Sequence, residues 1–355
     1  MSVQVSYKKQ TAFYIIGLII ILAIIELIAN VWWQSEMHCE FEENEIFNEM
    51  SGEEKRNMCL EFYNVRTSGT EIVPNQSSES ININSHGFRG PEITVEKQPE
   101  IFRIFMLGGS TMFGMGATSD STTIPGYTQS LFDNALNNNS VQVINAGIQD
   151  ANTKTESRMI EQRILNFQPN LIVMYDGWND LRENFEVDVT IDNWKSVCDI
   201  GEEKNFDVVI ILQPIAGFGN KVLTEQEADY ASTGTDYKNN LLVNNLSLYD
   251  EIAGKLSMLN SCTLTVDMRN AFDNYIEPIY WDQGHVSDKG NLVIAELIFK
   301  KILILIEEDD IQQIPSTYQI SERAVEKELG FEENIRNLIS YYKTPIMLSN
   351  FLKLS

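Results

Sequence analysis

Along this chain the apolar positions fall into two regimes. Residues Ala12 to Trp33 form a nearly unbroken apolar run, interrupted only by Glu26 and Asn30. That run is about long enough to cross a bilayer as one helix. From Ile101 onward, short apolar runs rich in Ile and Val alternate with longer stretches whose apolar residues follow helical spacing. The short runs Phe102–Leu107, Val141–Asn145, Leu171–Tyr175, Val208–Gln213 and Leu264–Asp267 read as strands. Helices are expected over about Pro125–Leu136, Thr153–Phe167, Ile191–Lys204, Leu246–Leu259 and Asp288–Ile306, the last capped by Ser287 or Asp288. Strand–helix alternation of this kind predicts an α/β fold with a parallel sheet covered on both faces.

The same pattern divides the chain. Residues 1–11 precede the apolar run, 12–33 form a transmembrane signal anchor, and 34–100 form an acidic juxtamembrane stalk. That stalk ends in the turn-rich stretch INSHGFRGPEI, Ile83 to Ile93. Residues 101–306 make the α/β domain, and 307–355 a C-terminal tail with a helical stretch at about Ser321–Tyr341 and an apolar end, Pro345–Leu354. Within the domain, the polar, glycine-containing insertion 214–245 follows the fourth strand, where long loops often cover a site. The run Glu40 to Glu54 is rich in Glu without a base and reads as solvated.

Lys8 and Lys9 precede the apolar run, and no Lys or Arg follows it until Lys55. This asymmetry predicts a cytoplasmic N-terminus and an extracytoplasmic domain. Trp32 and Trp33 sit where an interfacial aromatic belt would lie. With no small-x-small cleavage site after the run, an uncleaved anchor is favoured over a signal peptide. Glu26 is costly in lipid, so it is expected to snorkel to the outer face or to meet a partner helix. Outside the membrane, the sequons at Asn75, Asn138 and Asn245 would be open to glycosylation.

Charge and cysteine content narrow the functional classes. A net charge of -25 over 355 residues argues against nucleic acid as a partner and against docking on anionic lipid. It reads as a solvating surface. The four cysteines form no CxxC, which argues against a zinc knuckle. Outside the cytosol they permit two disulfides, and Cys39–Cys59 with Cys198–Cys262 is one of three connectivities; the alternative is four free or buried thiols. No His/Cys/carboxylate cluster has metal-ligand spacing, so neither metal nor cofactor is expected.

Four short polar blocks lie just past strands one, two, three and five. They are Gly108-Gly109-Ser110-Thr111, Asn145-Ala146-Gly147, Gly177-Trp178-Asn179-Asp180 and Asp282-Gln283-Gly284-His285. Parallel strands place all four at one sheet edge, where ligands bind in open α/β sheets. These residue types suit acyl transfer. A serine hydroxyl needs a base, which His285 can supply, and Asp282 can hold the imidazole. The backbone N–H groups of Ser110 and Gly147 and the Asn179 amide can face an oxyanion. Of the three histidines, His38 adjoins the anchor and His86 lies in the turn before the domain, where it and Arg89 are read as fixing that turn. Trp178 and Trp281 adjoin Asn179 and Asp282 and are candidates for the wall of an acyl or sugar site.

The four blocks, in this order, resemble the SGNH hydrolases, a branch of the GDSL esterase/lipase superfamily. The resemblance covers about Ile83 to Ile306. It implies a flavodoxin-like three-layer α/β/α sandwich with five parallel strands. It also implies Ser110 as nucleophile and oxyanion donor, Gly147 and Asn179 as further oxyanion donors, and Asp282 and His285 as the rest of a triad. Gly109 stands where the family name has Asp, and the second block continues as Asp150-Ala151-Asn152 rather than with a second glycine. The implied activity is an extracytoplasmic serine esterase acting on an O-acyl ester, such as an acetyl ester, of a glycan or small molecule. An O-acyltransferase acting on a cell-surface glycan and a non-catalytic surface scaffold are the alternatives.

Overall fold

The computed structural model describes residues 6–36, 44–136, 140–182, 186–233, 246–303 and 305–306. The expected tail helix and apolar end, Cys39 and the sequon at Asn138 lie outside these residues, as do residues 234–245 of the insertion. The first element is the helix α1 (Tyr7–Glu36), long and apolar enough to cross a membrane, with the window from Tyr7 to Trp32 unburied by the rest of the chain.

Residues 44–64 correct the expectation of a solvated stalk. A single 3-10 turn, Glu45–Phe47, leads to helix α2 (Gly52–Asn64). Ser51 and Glu54 close a capping box at its start, satisfying two backbone N–H groups that the helix leaves open. Phe47, Met58, Cys59 and Phe62 are buried in the main core, while Glu49, Glu53 and Glu54 stay exposed. The high density of glutamate concealed these few apolar positions, of which Met58 and Phe62 stand one helical turn apart. Two small hairpins follow, β1 (Thr67–Ser68) with β2 (Glu71–Ile72) and β3 (Gln76–Ser77) with β4 (Asn82–Ile83).

The domain itself is built on β5 (Phe102–Gly108), α3 (Ser110–Phe113), α4 (Ile124–Leu136), β6 (Val141–Asn145), α5 (Thr153–Gln162), β7 (Leu171–Asp176), α6 (Trp178–Arg182), α7 (Val187–Lys204), β8 (Asp207–Leu212), α8 (Glu225–Thr233), α9 (Leu246–Lys255), β9 (Leu264–Asp267) and α10 (Asp288–Ile302). The five long strands form one parallel sheet in the order β6-β5-β7-β8-β9. This is the doubly wound, flavodoxin-like order, and it matches the expected fold class. Every residue of β5 and β7 is buried, as a strand covered on both faces requires. Alternation sends Phe105 and Leu107 into the core shared with α5, α7 and α9, and Ile104 and Met106 into the core shared with α4 and α10.

Three of the expected helices end earlier than their apolar periodicity suggests. α5 stops at Gln162 and is followed by a 3-10 turn, Ile164–Phe167; α9 likewise gives way to Leu256–Met258; and α10 ends at Ile302. Ser287 caps α10, accepting from Gly290 N–H. A disulfide joins Cys198 of α7 to Cys262 just before β9, across a separation of 64 residues. Closing a loop of that length stabilises the fold by on the order of 4 kcal/mol through the unfolded chain. Cys59 is disulfide-bonded as well.

Candidate active site

At the carboxyl end of β5 the chain turns through Gly108 and Gly109 into the single turn α3, whose first residue is Ser110. The position is the switch point of the sheet, where β6 and β7 lie on opposite sides of β5. α3 is too short to hold itself in place, and three side-chain contacts fix its far end. Asn145 Nδ2 donates to Phe113 O at 3.1 Å, and Arg89 Nη1 donates to Phe113 O at 3.1 Å and Gly114 O at 2.9 Å. The buried Arg89 guanidinium also binds Asp120 and Ser80 O, so it ties the turn before the domain to the serine's helix. His86, by contrast, contacts Ile93 O and the Phe167 ring.

The second part of the site is the loop between β9 and α10. Tyr280 and Val286 pair as an antiparallel bridge, and Trp281 N–H donates to His285 O at 3.1 Å. Within that narrow loop, Asp282 Oδ1 accepts from the N–H groups of Gly284 and His285 at 2.8 and 2.6 Å. This Asx-type turn locks the carboxylate. Asp282 Oδ2 lies 2.6 Å from His285 Nδ1, and His285 Nε2 lies 2.7 Å from Ser110 Oγ. The structure thus brings Ser110, His285 and Asp282 into one continuous hydrogen-bonded chain, with His285 fully buried and Ser110 only 3% exposed.

Around the serine, the expected oxyanion donors are not equivalent. As the first residue of α3, Ser110 has a backbone N–H with no acceptor inside its helix. Asn179, at the start of α6, gives one N–H to Ala151 O at 2.6 Å. Its amide approaches so near the turn that a Cβ on Gly109 would lie 2.2 Å from Asn179 Nδ2. Glycine at 109 keeps that space open. The Gly147 N–H donates to Asn145 Oδ1 at 3.0 Å. The side chain of Asn145 folds forward over its own turn, so this donor is engaged before any oxyanion forms. The absence of a Cβ at Gly147 serves packing instead, since one would lie 2.2 Å from Phe113 N in α3.

The two tryptophans also differ from expectation. Both are buried, and both pack on the His285 imidazole. Trp281 stacks on His285 with ring centroids 4.7 Å apart and planes tilted by 19°, and Trp178 meets its edge at 5.2 Å and 79°. The adjacency in sequence was real, and both rings pack inward on His285.

Several residues that hold the site gave no motif in the sequence. Arg182 Nη1 donates to Asn179 Oδ1 at 3.0 Å and fixes which way the amide faces. Asn44 Nδ2 donates to Trp281 O at 2.7 Å and to Tyr230 Oη at 2.9 Å. Glu227 of α8 accepts from the N–H groups of Ile279 and Tyr280 at 2.8 and 3.0 Å, and from Lys221 Nζ at 2.6 Å. Insertion residue Glu227 therefore clamps the loop that carries Asp282. With Lys221 and Glu227 both buried, Glu227→Ala leaves an unpaired buried cation and is expected to cost about 3–5 kcal/mol, read as a fall in the urea midpoint.

Behind α6 lie three buried carboxyl groups, Glu156, Asp176 and Asp180. Asp180 Oδ1 accepts from Thr153 Oγ1 at 2.5 Å and Thr190 Oγ1 at 3.3 Å, which ties α6 to α5 and α7. Both Glu156 carboxyl oxygens and Asp176 Oδ2 have no hydrogen-bond partner among the described residues. Burial pushes Asp180 up to about 6 and Asp176 up to about 7, the latter with repulsion from Asp180 adding to burial. Burial first, then repulsion from Asp176 and Asp180, raises Glu156 well above the carboxylate range. The folded state therefore holds protons that the unfolded chain releases near pH 4. Stability from this cluster is full below that pH and is lost as pH rises through about 6 to 7. Chemical denaturation should show a higher urea midpoint at pH 5 than at pH 8, and Asp176→Asn should flatten the difference.

No family model matches the chain, and no curated protein matches it. Solved structures do resemble it at low identity. An acetyl xylan esterase is 18% identical, with 57% of this chain and 100% of that chain covered and a TM-score of 0.43. A catalytic mutant of an acetylxylan esterase from Geobacillus stearothermophilus is 15% identical, covering 57% and 96%, with a TM-score of 0.42. A GDSL-like lipase from Bacteroides thetaiotaomicron is 16% identical, covering 57% and 88%, with a TM-score of 0.38.

Proposed function

We propose that this chain is a serine ester hydrolase of the SGNH/GDSL type, anchored by α1 with its domain outside the membrane. The observation that carries this reading is the Asp282–His285–Ser110 chain of 2.6 and 2.7 Å contacts at the sheet's switch point. Ser110 Oγ attacks the ester carbonyl as His285 Nε2 takes its proton. The tetrahedral oxygen forms beside Ser110 N–H and the second N–H of Asn179 Nδ2. His285 then gives the proton to the departing alcohol, and water repeats the sequence to release the acid.

The close surroundings of Ser110 favour a short acyl group such as acetyl, carried by a glycan or a small molecule. An acyl transfer to a sugar hydroxyl uses the same steps with that hydroxyl in place of water. The near-closure of Ser110 from bulk solvent favours this second reading, because a bound acceptor then competes well with water. The extracytoplasmic placement is supported by Lys8 and Lys9 before the anchor, and by the Cys198–Cys262 disulfide, since such bonds persist in oxidising compartments.

The test is covalent labelling of the full chain by a fluorophosphonate, combined with acid release from a generic acetyl ester. Labelling at Ser110 with acid release is expected. A folded chain that neither labels nor turns over any ester would leave the scaffold reading in its place. Protease added to intact cells should cut the domain while a tag before Tyr7 stays protected, and the reverse pattern would overturn the orientation.

A further inference from the structure

The indole of Trp281 lies nearly parallel to the His285 ring, with planes tilted by 19° and centroids 4.7 Å apart. A ring so placed presents its π face, the negative side of its quadrupole, to the imidazole. Distant parts of the chain build the seat of this tryptophan. Its N–H donates to His285 O at 3.1 Å, and its carbonyl accepts from Asn44 Nδ2 at 2.7 Å. Asn44 also reaches Tyr230 Oη of α8 at 2.9 Å, and the Phe47 ring lies 6.3 Å from the indole. Gly116, just past α3, has a φ of +80°, and a Cβ there would lie 2.6 Å from Trp281 Nε1. The segment before α2, the insertion and the turn after the serine thus converge on one ring. Trp281 is only 1% exposed, so contact with a substrate does not account for that seat.

The reaction gives the ring a task. At rest, Asp282 Oδ2 and Ser110 Oγ lie at the two nitrogens of His285. When Nε2 takes the serine proton, the imidazole becomes a buried cation. Asp282 meets that cation at Nδ1, and Trp281 covers its face. A cation over an indole face is attracted by the ring quadrupole, and more strongly where water is excluded. This attraction arises only as the charge forms, so it lowers the barrier rather than tightening substrate binding.

We propose that Trp281 is a positioning residue for the base: it holds the plane of His285 toward Ser110, and its π face steadies the imidazolium formed in the transition state. The proposal rests on the serine esterase reading.

The test replaces Trp281 in the full chain with 5-fluorotryptophan, with 5,7-difluorotryptophan and with Leu. Fluorine draws electron density from the indole face and nearly keeps its shape. For each protein, kcat and KM on p-nitrophenyl acetate are followed across the pH range where an imidazole base is protonated. The charged groups on the elements around His285 are unchanged in every variant. They are Asp282 on its own loop, Arg182 over the Trp178 ring, the Lys221–Glu227 pair, Glu45 before Phe47, and Asp288 at the start of α10.

A face that stabilises the imidazolium favours proton uptake, so weakening it should move the acid limb of the rate profile to lower pH. The kcat plateau should fall with it. For Trp281→Leu the expected loss in kcat is about tenfold, with the acid limb about one pH unit lower and KM little changed. The fluorinated rings should fall between wild type and Trp281→Leu, in order of fluorine content. A wild-type kcat and acid limb with 5,7-difluorotryptophan would overturn the proposal, as would a loss of kcat across the series with the limb unmoved. If Trp281→Leu does not fold, the fluorinated pair decides, because its packing is kept. A wild-type chain that turns over no ester would overturn the esterase reading and this proposal with it; an active wild type with a flat fluorinated series overturns this proposal alone.

Discussion

Ser110→Ala is expected to lower kcat for ester hydrolysis by about five to six powers of ten and to abolish fluorophosphonate labelling, as loss of the nucleophile does in a triad acting as a unit. The fold should survive. The residue removes one hydroxyl whose contact is His285 Nε2, and α3 is held by Arg89 and Asn145 through the backbone carbonyls of Phe113 and Gly114. Circular dichroism and the urea midpoint should therefore match the wild type while turnover disappears. His285→Ala should be nearly as damaging, and the double variant no worse than either single one, because each removes the same proton path. Hydrolysis at the wild-type rate in Ser110→Ala would refute the mechanism outright.

Asn179→Ala is expected to lower kcat by about two to three powers of ten with little change in KM, the usual result of removing one oxyanion donor. Here the loss should lie toward the upper end. The Gly147 N–H is already engaged by Asn145 Oδ1, which leaves Ser110 N–H and Asn179 as the donors least committed elsewhere. Slow labelling of Ser110 should persist, since the nucleophile and its base remain. Arg182→Met should show a weaker form of the same kcat loss. Its guanidinium fixes the Asn179 amide through Oδ1 at 3.0 Å rather than reaching the serine. An Asn179→Ala variant with normal kcat would remove the amide from the reaction.

Much of the domain was legible in the order of its residues. The β5 to β9 strands are short apolar runs whose limits agreed with the pattern to within a residue, and β5, β7 and β8 are buried along nearly their whole length. The polar blocks are legible for the same reason. A strand of this kind ends where the chain leaves the core, and Ser110, Asn179 and the Asp282–His285 pair each stand just past such an end or in the loop that follows. Local periodicity failed where packing is sparse. α2 buries a few side chains beneath a glutamate-rich surface, and α8 is fixed by Glu227, a buried charge that reads as solvated.

What the sequence determined by itself was the strand order of the chemistry and which side chains were available to it. Apolar run length and turn composition are local properties, and they place each block on an edge without reference to the others. Only the tertiary structure decided how those side chains are employed. Trp281 stacked on the imidazole and Trp178 met it edge-on, Gly147 N–H was taken by Asn145, and Asn44 came to bind Trp281 O. Each depends on the direction in which a side chain leaves a loop, and that direction is set by contacts between residues far apart in the chain.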